Sequence, residues 1–355
     1  MRQAGERRSA PTIYDVARAA GVAPSTVSRT FARPGRVNSE TAARIRAVAE
    51  ELGYRANPVA RALSTSRTQM IALIVSDVTN PFYAPLIRGA QAAAADAGFV
   101  VLLEDAQESA QVERNALERV LPVVEGIVIG SSRMSDSAIR TIAKQTAMVV
   151  LNRAVADVPS VVTDNPRGMR RAAEHLGELG HTSITYVAGP EASWADGVRW
   201  RALREAGYEL ELGTRRIGPF PPTVGGGFRA GTDLAAQSPP ATAAVAYNDL
   251  MAIGLIRGLE HAGLRVPEDI SVVGFDDILV SQLVTPPLTT VAAPTHSMGL
   301  TAVRNVLAII KGAQAATGEA FVLPTKLVVR GSTAQRSRKR TSPALGTTSV
   351  SGSAS

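Results

Sequence analysis

The chain has 355 residues, 45% of them hydrophobic and none of them cysteine, and its formal net charge at pH 7 is +7. This length favours two or three domains, and the lack of cysteine excludes disulfides, thiolate nucleophiles and cysteine-type zinc sites. No stretch approaches about 18 consecutive apolar residues, and the N-terminal residues lack the apolar run of a secretion signal, so we expect a cytoplasmic protein without a membrane span.

Two short helices joined by a tight turn are predicted at the start of the chain. Thr12, with Asp15 three positions later, is typical of a helix N-cap. The apolar residues that follow share one helix face, at Ile13, Val16, Ala17 and Ala20. Gly21 ends this helix, and Pro24 suits the first turn of the next one. The apolar side of the second helix would face a core, which leaves an outer face formed by Pro24, Ser25, Ser28 and Arg29.

A third helix is predicted after a cap at Asn38, with an apolar face formed by Ile45, Val48, Ala49 and Leu52. Three such helices could form an ordinary bundle with no nucleic-acid role, but the charge distribution argues against that reading. Residues 1–67 hold twelve arginines, no lysine and five acidic residues, and residues 335–355 hold four cations and no acid. The stretch between them has a net charge of −4. Cations concentrated at the helical end indicate contacts with phosphate.

The segment after the third helix has the features of a short hinge helix. Asn57 would cap it, Pro58 fits its first position, and residues 59–64 complete fewer than two turns. Helices of fewer than about 12 residues are marginal in water, so we expect this one to be unfolded in the free protein and to form only against a partner. The alternative interpretation is a flexible linker.

From residue 69 onward, short apolar strands alternate with helix-length segments such as Pro85–Ala97 and Asn165–Leu179. The predicted strands are Met70–Ser76, Phe99–Glu104, Ile127–Gly130, Met148–Asn152, Ile184–Ala188, Ala243–Tyr247 and Ile270–Phe275. This alternation predicts parallel sheets with helices on both faces. The glycine run at residues 225–227 is not followed by the Lys-Ser/Thr pair of a phosphate loop, and we interpret it as a surface turn.

Eight motifs between residues 12 and 291 occur together in a characteristic order. They read TIYDVARAAGVAPSTVSRTF, ELGYRANPVARAL, NPFY, VTDNPRG, ELGH, NDLMAIG, LRVPEDISVVGFDD and PPLTTV. With these motifs the chain resembles the lactose-repressor/galactose-repressor family of bacterial transcription regulators, and the resemblance extends to about residue 334.

The resemblance implies an all-α helix-turn-helix headpiece and an α/β effector domain of two doubly wound parallel-sheet lobes, similar to periplasmic sugar-binding proteins. The implied domains are 1–11 as a disordered basic arm, 12–56 as the headpiece, 57–68 as the hinge helix and linker, 69–334 as the effector-binding and dimerisation domain, and 335–355 as a disordered tail. Within the effector domain, lobe one would take about 69–163 and 292–318, and lobe two the rest.

The resemblance also implies contacts with double-stranded DNA at a palindromic operator. Family positions that match Pro24, Ser25 and Arg29 reach base edges, and Leu63 matches a residue that wedges into the minor groove. The residues expected to contact DNA are Thr12, Tyr14, Pro24, Ser25, Thr26, Ser28, Arg29, Arg36, Asn57, Ala60, Arg61 and Leu63.

A ligand of such a fold binds at the carboxyl ends of the strands, between the lobes. Amides, a carboxylate and a guanidinium are the groups that match a ligand rich in hydroxyls. The residues expected to bind the effector are Asn80, Phe82, Asn152, Ser193, Arg199, Phe220, Asn248 and Asp276. Each of them could instead be a capping or turn residue, and Asp249 and Asp277 are interpreted as helix-start caps.

Together these expectations describe a DNA-binding repressor that works as a homodimer and responds to a small-molecule effector, a sugar or sugar derivative. The sequence shows no nucleophile–base set and no metal-ligand spacing, so we expect neither catalytic activity nor a metal or other cofactor. Two other classes of protein predict different features. A solute-binding protein would carry a signal peptide and no headpiece, and a sugar-active enzyme with a DNA module would be detected by a turnover assay.

Overall fold

The computed structural model describes residues 10–32, 35–55, 67–314 and 318–336. The hinge residues assigned to DNA contact lie outside this range: Asn57, Ala60, Arg61 and Leu63. The chain divides into two compact units, of which the first holds residues 1–78, 86–161 and 296–320, and the second holds residues 79–85, 162–295 and 321–355. We name the two α/β parts by their sheets, so that lobe one holds the first sheet and lobe two the second. They follow the two units, except that residues 162–163 and 321–323 belong to the first sheet and to the second unit. The lobe bounds expected from the resemblance differ from this division mainly at residues 79–85.

Three helices form the headpiece, as the sequence predicted: α1 (Ile13–Ala20), α2 (Pro24–Ala32) and α3 (Ser39–Glu51). Gly21 takes a left-handed φ of 64° and donates its N–H to the last carbonyls of α1, which ends the helix. The helices enclose a small core formed by Val16, Ala17, Ala20, Val27, Ile45 and Ala49. Leu52, expected on this core face, is instead 40% exposed, because it caps α3 at its C-terminal end.

Lobe one is built around the first sheet, with the strand order β11-β5-β4-β3-β1-β2. Its strands are β1 (Met70–Val75), β2 (Val100–Asp105), β3 (Gly126–Gly130), β4 (Ala147–Leu151), β5 (Ser160–Thr163) and β11 (Phe321–Leu323). The helices of this part of the chain are α4 (Tyr83–Asp96), α5 (Ala110–Val120), α6 (Asp136–Ala143) and α11 (Thr295–Ile310). The pairs among β1 to β5 are parallel. The central strand β3 is fully buried, as expected for a strand covered on both faces.

Lobe two is built around the second sheet, with the order β12-β10-β9-β8-β6-β7. Its strands are β6 (Ser183–Val187), β7 (Gly213–Ile217), β8 (Ala243–Ala246), β9 (Ser271–Asp276), β10 (Thr289–Ala292) and β12 (Lys326–Val328). Its helices are α7 (Asn165–Glu178), α8 (Trp194–Glu209), α9 (Val224–Ala235), α10 (Asp249–His261) and a 3-10 helix (Leu279–Gln282). All pairs are parallel except β10 with β12. The carboxyl ends of β6, β8 and β9 therefore share one edge of the sheet.

The interpretation of residues 225–227 as a surface turn was wrong, because these glycines lie in α9. A Cβ at Gly227 would overlap the carbonyl oxygen of Met251, and one at Gly254 would overlap that of Val224. Helices α9 and α10 thus pack backbone against backbone, and glycine is required because the contact leaves no room for a side chain.

Candidate functional site

The outer face of α2 carries the side chains expected to read DNA. Ser25 and Arg29 are exposed, and Pro24, Thr26 and Ser28 are half-buried. Elsewhere in the headpiece, Tyr14 is 65% exposed and Arg36 is also exposed. The face is narrow and polar, as entry of a helix into a major groove requires.

Thr12 caps α1, which confirms the predicted helix start. Its N–H and its hydroxyl both donate to the carboxylate of Asp15, at 2.9 and 2.7 Å. The hydrogen bond from the Thr12 backbone, with that from its hydroxyl, lowers the pKa of Asp15. The Thr12 hydroxyl proton is therefore already used, and only the lone pairs of its oxygen could accept a bond from another partner. We expect Thr12 to orient the start of α1 beside a DNA backbone.

The described part of the headpiece also carries exposed cations. The exposed arginines of the described headpiece are Arg18, Arg29, Arg36, Arg44, Arg46 and Arg55. Arg18 lies 3.8 Å from the carboxylate of Asp15 in a pair that is itself exposed. An exposed pair of this kind contributes little to stability, so it would not prevent Arg18 from binding phosphate. The other guanidinium groups are accessible to phosphate because they are exposed.

Arg199 organises the carboxyl edge of lobe two. It extends from the first turns of α8 and is 5% exposed. Its Nε donates to Asn165 Oδ1 at 2.9 Å, and its Nη1 donates to the carbonyl oxygen of Tyr247. The guanidinium lies over the ring of Phe275, 3.5 Å from the centroid. Residues from α7, β8 and β9 therefore fix the guanidinium plane.

Asp276, the last residue of β9, faces this guanidinium at the edge of ion-pair distance. The contact from Arg199 Nη2 to Asp276 Oδ1 is 3.8 Å, and among the described residues no side chain or N–H donates a hydrogen bond to the Asp276 carboxylate. Burial raises the pKa of Asp276 well above its ordinary value; Arg199 offsets this in part, and the buried carboxyl of Asp249 adds to it. The Asp276 carboxyl is thus buried and lacks a hydrogen-bond donor among the described residues.

Asp249 is the first residue of α10, in the same lobe as Asp276, and is completely buried. It accepts hydrogen bonds from the Ile278 N–H, the Ser281 hydroxyl and the Thr290 hydroxyl. Burial raises the pKa of Asp249 to about 6, although these three bonds act in the opposite direction. Its role is to anchor the loop after β9 to the start of α10.

The interpretation of Asp249 and Asp277 as helix-start caps was therefore wrong. The cap of α10 is Asn248, whose Oδ1 accepts the Met251 N–H at 2.9 Å. Asn248 also donates its amide to the carbonyl oxygen of Pro222 at 3.3 Å. Asp277 instead pairs with Arg330 at 2.6 Å. Asn248 is thus a capping residue, the alternative role given for it above. It lies beside Tyr247, just after the end of β8.

Tyr247 is a site residue that the sequence did not indicate. Its hydroxyl lies 3.0 Å from the hydroxyl of Ser193, and its ring covers Gly189, where a Cβ would collide with it. The Arg199 guanidinium lies 5.2 Å from the centre of the same ring. Ser193 also caps α8 through the Asp196 N–H, so its hydroxyl is already occupied within lobe two. The only sequence signal for Tyr247 was its place directly before Asn248.

The other candidates in the second unit are Asn80, Phe82 and Phe220. The Phe220 N–H donates to the Ala188 carbonyl oxygen at 3.0 Å, directly after the carboxyl end of β6. Phe82 is 6% exposed, and its N–H donates to Asn80 Oδ1 at 3.0 Å, so Asn80 shapes the turn that precedes α4. Phe220 is half-buried and packs against Gly218. Within the described ranges, no hydrogen bond, ion pair or cation–π contact joins these three residues to Arg199.

Asn152 belongs to lobe one, where it follows β4 with a left-handed φ of 58°. Its amide donates to the hydroxyl of Ser131 at 3.2 Å, at the end of the adjacent strand β3. The next residue, Arg153, donates to the carbonyl oxygens of Ser132 and Met134. Lobe one therefore holds the backbone around Asn152 with its own side chains.

Within the described ranges, no group of three His, Asp or Glu side chains could hold a metal ion. None of the helices in the same ranges is long and apolar enough to cross a membrane.

Comparison with known sequences identifies the family. Residues 12–57 match bacterial regulatory proteins of the lacI family, and residues 173–333 match the periplasmic binding protein-like domain. The HTH-type transcriptional repressor CytR of Escherichia coli (strain K12) is 32% identical over 339 residues, which cover 93% of this chain and 98% of CytR. The chain belongs to the lacI family. The HTH-type transcriptional regulator DegA of Bacillus subtilis (strain 168) is 34% identical over 333 residues, covering 91% and 98%.

Solved structures agree with this lacI-family membership. The lac repressor dimer bound to operator and the anti-inducer ONPF has a TM-score of 0.80 at 28% identity, covering 92% of this chain and all of that chain. The CelR–cellobiose complex has a TM-score of 0.68 at 30% identity, covering 91% and 99%. A lacI-family regulator of Enterococcus faecalis V583 with bound ribose has a TM-score of 0.67 at 32% identity, covering 76% and 100%. The lacI-family chain described here is a DNA-binding transcriptional regulator with the expected fold.

Proposed function

We propose that this lacI-family regulator is a cytoplasmic repressor rather than an enzyme, and that a sugar or sugar derivative bound by lobe two controls its operator affinity. The observation that carries the proposal is the pair Arg199 and Asp276, buried together yet separated by 3.8 Å. A hydroxyl group accepts from a guanidinium and donates to a carboxylate at the same time. Two or more neighbouring hydroxyls would therefore satisfy both side chains.

The effector site extends along the carboxyl edge of the lobe-two sheet. Asn248 and Ser193 stand at the starts of α10 and α8, and the Tyr247 ring supplies an apolar surface between them. Phe82, Asn80, Asn152 and Phe220 are proposed as additional contacts. The relatives with cellobiose and ribose support this ligand class, since both are polyhydroxyl compounds.

The headpiece would read DNA through the outer face of α2, with Ser25 and Arg29 at base edges. Pro24 offers an apolar contact, such as one with a thymine methyl. Tyr14, Thr12, Thr26, Ser28 and Arg36 would contact the backbone and fix the orientation of the helix. Asn57, Ala60, Arg61 and Leu63 would form the hinge helix in the minor groove, and effector binding would act on DNA by forming or melting that helix.

A homodimer would supply the twofold symmetry that a palindromic operator requires. Lobe two presents apolar side chains on its 3-10 helix and just after it, where Leu279 is 69% and Leu283 is 72% exposed. Two large exposed leucines one turn apart are typical of an interface. Replacing both by aspartate should yield monomers in sedimentation velocity and abolish operator binding, and dimers that persist would place the interface elsewhere.

The effector proposal is tested by thermal unfolding with a panel of neutral sugars that includes cellobiose and ribose, followed by operator binding with each sugar that raises the Tm. To shift the protein from mostly operator-bound to mostly released from DNA, a ligand must bind one of these two states roughly 10⁴-fold more tightly, about 5.5 kcal/mol. Asp276→Asn should retain operator binding but no longer respond to the sugar. Asp277→Asn, the matched neighbour, should retain both operator binding and the response to the sugar. A normal response from Asp276→Asn would refute the site.

A further inference from the structure

The chain enters lobe one at the centre of its sheet. Strand β1 is the first strand of this lobe, and it lies between β3 and β2 in the strand order. Gln69, the residue before β1, is bonded on both of these sides. Its carbonyl oxygen accepts the N–H of Val100, the first residue of β2, at 2.9 Å. Its N–H donates to the side chain of Glu125, the residue before β3, at 2.7 Å.

Glu125 makes two further contacts with this junction. Its N–H donates to the carbonyl oxygen of Met70 at 2.9 Å, and its Oε2 lies 3.6 Å from Nε of Arg67. The Glu125 side chain is only 14% exposed, whereas that of Arg67 is 56% exposed. An ion pair with such an exposed partner contributes little. The bond from the Gln69 N–H to the sheltered carboxylate is charge-assisted and is therefore the stronger contact.

Gln69 has a backbone conformation that its neighbours impose. Its φ is 54°, in the left-handed region. This region is unfavourable for a residue with a Cβ, and such a residue stays there only where the surrounding structure holds it. The bonds to Val100 and Glu125 hold Gln69 from both sides. Val100 acts through its backbone, so Glu125 is the partner whose contribution a substitution can remove.

We propose that Glu125 is a positioning residue for operator binding, because it fixes the point at which the chain passes from the hinge into lobe one. This inference rests on the hinge helix of the proposed function. A short helix that forms only on DNA binds more tightly when its attachment is already ordered, since less conformational freedom is lost on binding. Strands β1 and β3 are paired, so Gln69 moves with the sheet, and a displacement of lobe one carries the end of the hinge with it.

Amide hydrogen exchange of the ligand-free full chain tests the contact itself. In Glu125→Ala the Gln69 amide should exchange at least about tenfold faster, because its N–H loses its acceptor. Glu125→Gln retains a carbonyl oxygen at this position and should keep the protection. The matched control Glu118→Ala removes an exposed carboxylate from α5 of the same lobe and should exchange like wild type. Wild-type exchange of the Gln69 amide in Glu125→Ala would overturn the proposal.

Operator affinity tests the functional consequence, with the duplex that the wild-type protein selects from random DNA. We expect Glu125→Ala to bind this duplex about tenfold more weakly and to bind a random duplex with wild-type affinity. Glu125→Gln and Glu118→Ala should bind both duplexes as wild type does.

A residue that only stabilises lobe one would give a different result. Glu125→Ala would then have a lower Tm but bind the selected duplex normally below its unfolding temperature, and this outcome would overturn the proposal. An equal loss of affinity in Glu125→Gln would also overturn it, because the bond to Gln69 would not be the cause. A wild-type protein that selects no duplex would refute the proposed function as well, whereas a selective wild type with an equally selective and tight-binding Glu125→Ala would overturn this inference alone.

Discussion

The guanidinium carbon of Arg199 lies 3.5 Å from the centroid of the Phe275 ring. Phe275 immediately precedes Asp276 on β9, so one strand supplies both the platform under the guanidinium and the carboxylate beside it. Asn165 and the Tyr247 carbonyl oxygen fix the remaining directions. Lobe two therefore holds the Arg199 side chain in place without any ligand, which lowers the entropic cost of binding one.

Arg199→Lys should abolish the sugar-dependent rise in Tm. An ammonium group cannot stack flat on the Phe275 ring while it bonds to Asn165 and Tyr247, because it lacks the planar fork of a guanidinium. The exposed neighbour Arg201→Lys on the same helix serves as the control and should behave as wild type. Unchanged sugar affinity in Arg199→Lys, measured by titration calorimetry, would mean that the guanidinium does not orient the ligand.

The contribution of Asp249 and Asp276 to the stability of the ligand-free protein should fall as the pH rises. Burial raises the pKa values of Asp249, to about 6, and of Asp276 above the ordinary value of 3.8. The folded state therefore holds these protons more tightly than the unfolded chain, and the stability they provide is complete below about pH 4 and lost as each group ionises. Asp276→Asn should remove the part of this decline in Tm above about pH 4 that the Asp276 carboxyl contributes. The exposed substitution Asp233→Asn should not, and a slope that Asp276→Asn leaves unaltered would contradict this assignment.

Two glycines of α9 should respond oppositely to alanine. Gly227→Ala places a Cβ against the carbonyl oxygen of Met251, and we expect it to lower the free energy of unfolding by about 1 to 3 kcal/mol. At Gly225 the nearest atom would be the Thr223 hydroxyl oxygen at 3.9 Å, so Gly225→Ala should raise stability by about 0.5 to 1 kcal/mol. Chemical denaturation of the two variants provides the comparison, and equal effects would exclude backbone contact as the reason for glycine.

This pair of positions also shows where sequence reasoning reached its limit. The three consecutive glycines gave a strong turn signal, yet the helix depends on α10 packing against them, which is a tertiary contact without a local signature. The headpiece was predictable because each helix end has its own local residue, such as Thr12, Gly21 and Asn38. The seven predicted strands fall within one or two residues of those observed. Five strands were not predicted: β5, β7, β10, β11 and β12. The half-exposed β7 has the sequence GTRRI, which lacks an apolar run.

The candidate site was predictable to a similar extent. Arg199 and Asp276 come together in lobe two, although Arg199 lies on helix α8 and not in a loop at a strand end as the sequence indicated. Tyr247 was missed because a tyrosine at the end of an apolar strand looks like ordinary core. Asp249 was misassigned because its partners Ser281 and Thr290 are distant in sequence. Its position at the start of a helix is typical of a cap, and only the fold shows that its carboxylate accepts hydrogen bonds from these two hydroxyls instead.

Leu63→Ala should reduce both operator affinity and DNA bending. Two copies of this side chain, one per protomer, would unstack a central base step at a cost of a few kcal/mol that the bent complex recovers in contacts. Val59→Ala, in the same segment, keeps the helix propensity and provides the control. Bending by Leu63→Ala equal to that of wild type in a gel-permutation assay would show that the wedge is another residue.

The central claim is sequence-specific reading of a palindrome, and selection from random DNA duplexes by the purified full-length protein tests it most directly. The account predicts enrichment of one site with two half-sites related by a twofold axis. Arg29→Ala should bind that site about 1 to 3 kcal/mol more weakly and relax the preference at one base pair in each half, whereas Arg18→Ala on α1 should select the wild-type sequence. Recovered duplexes with no consensus beyond the input pool, at moderate salt, would contradict the account.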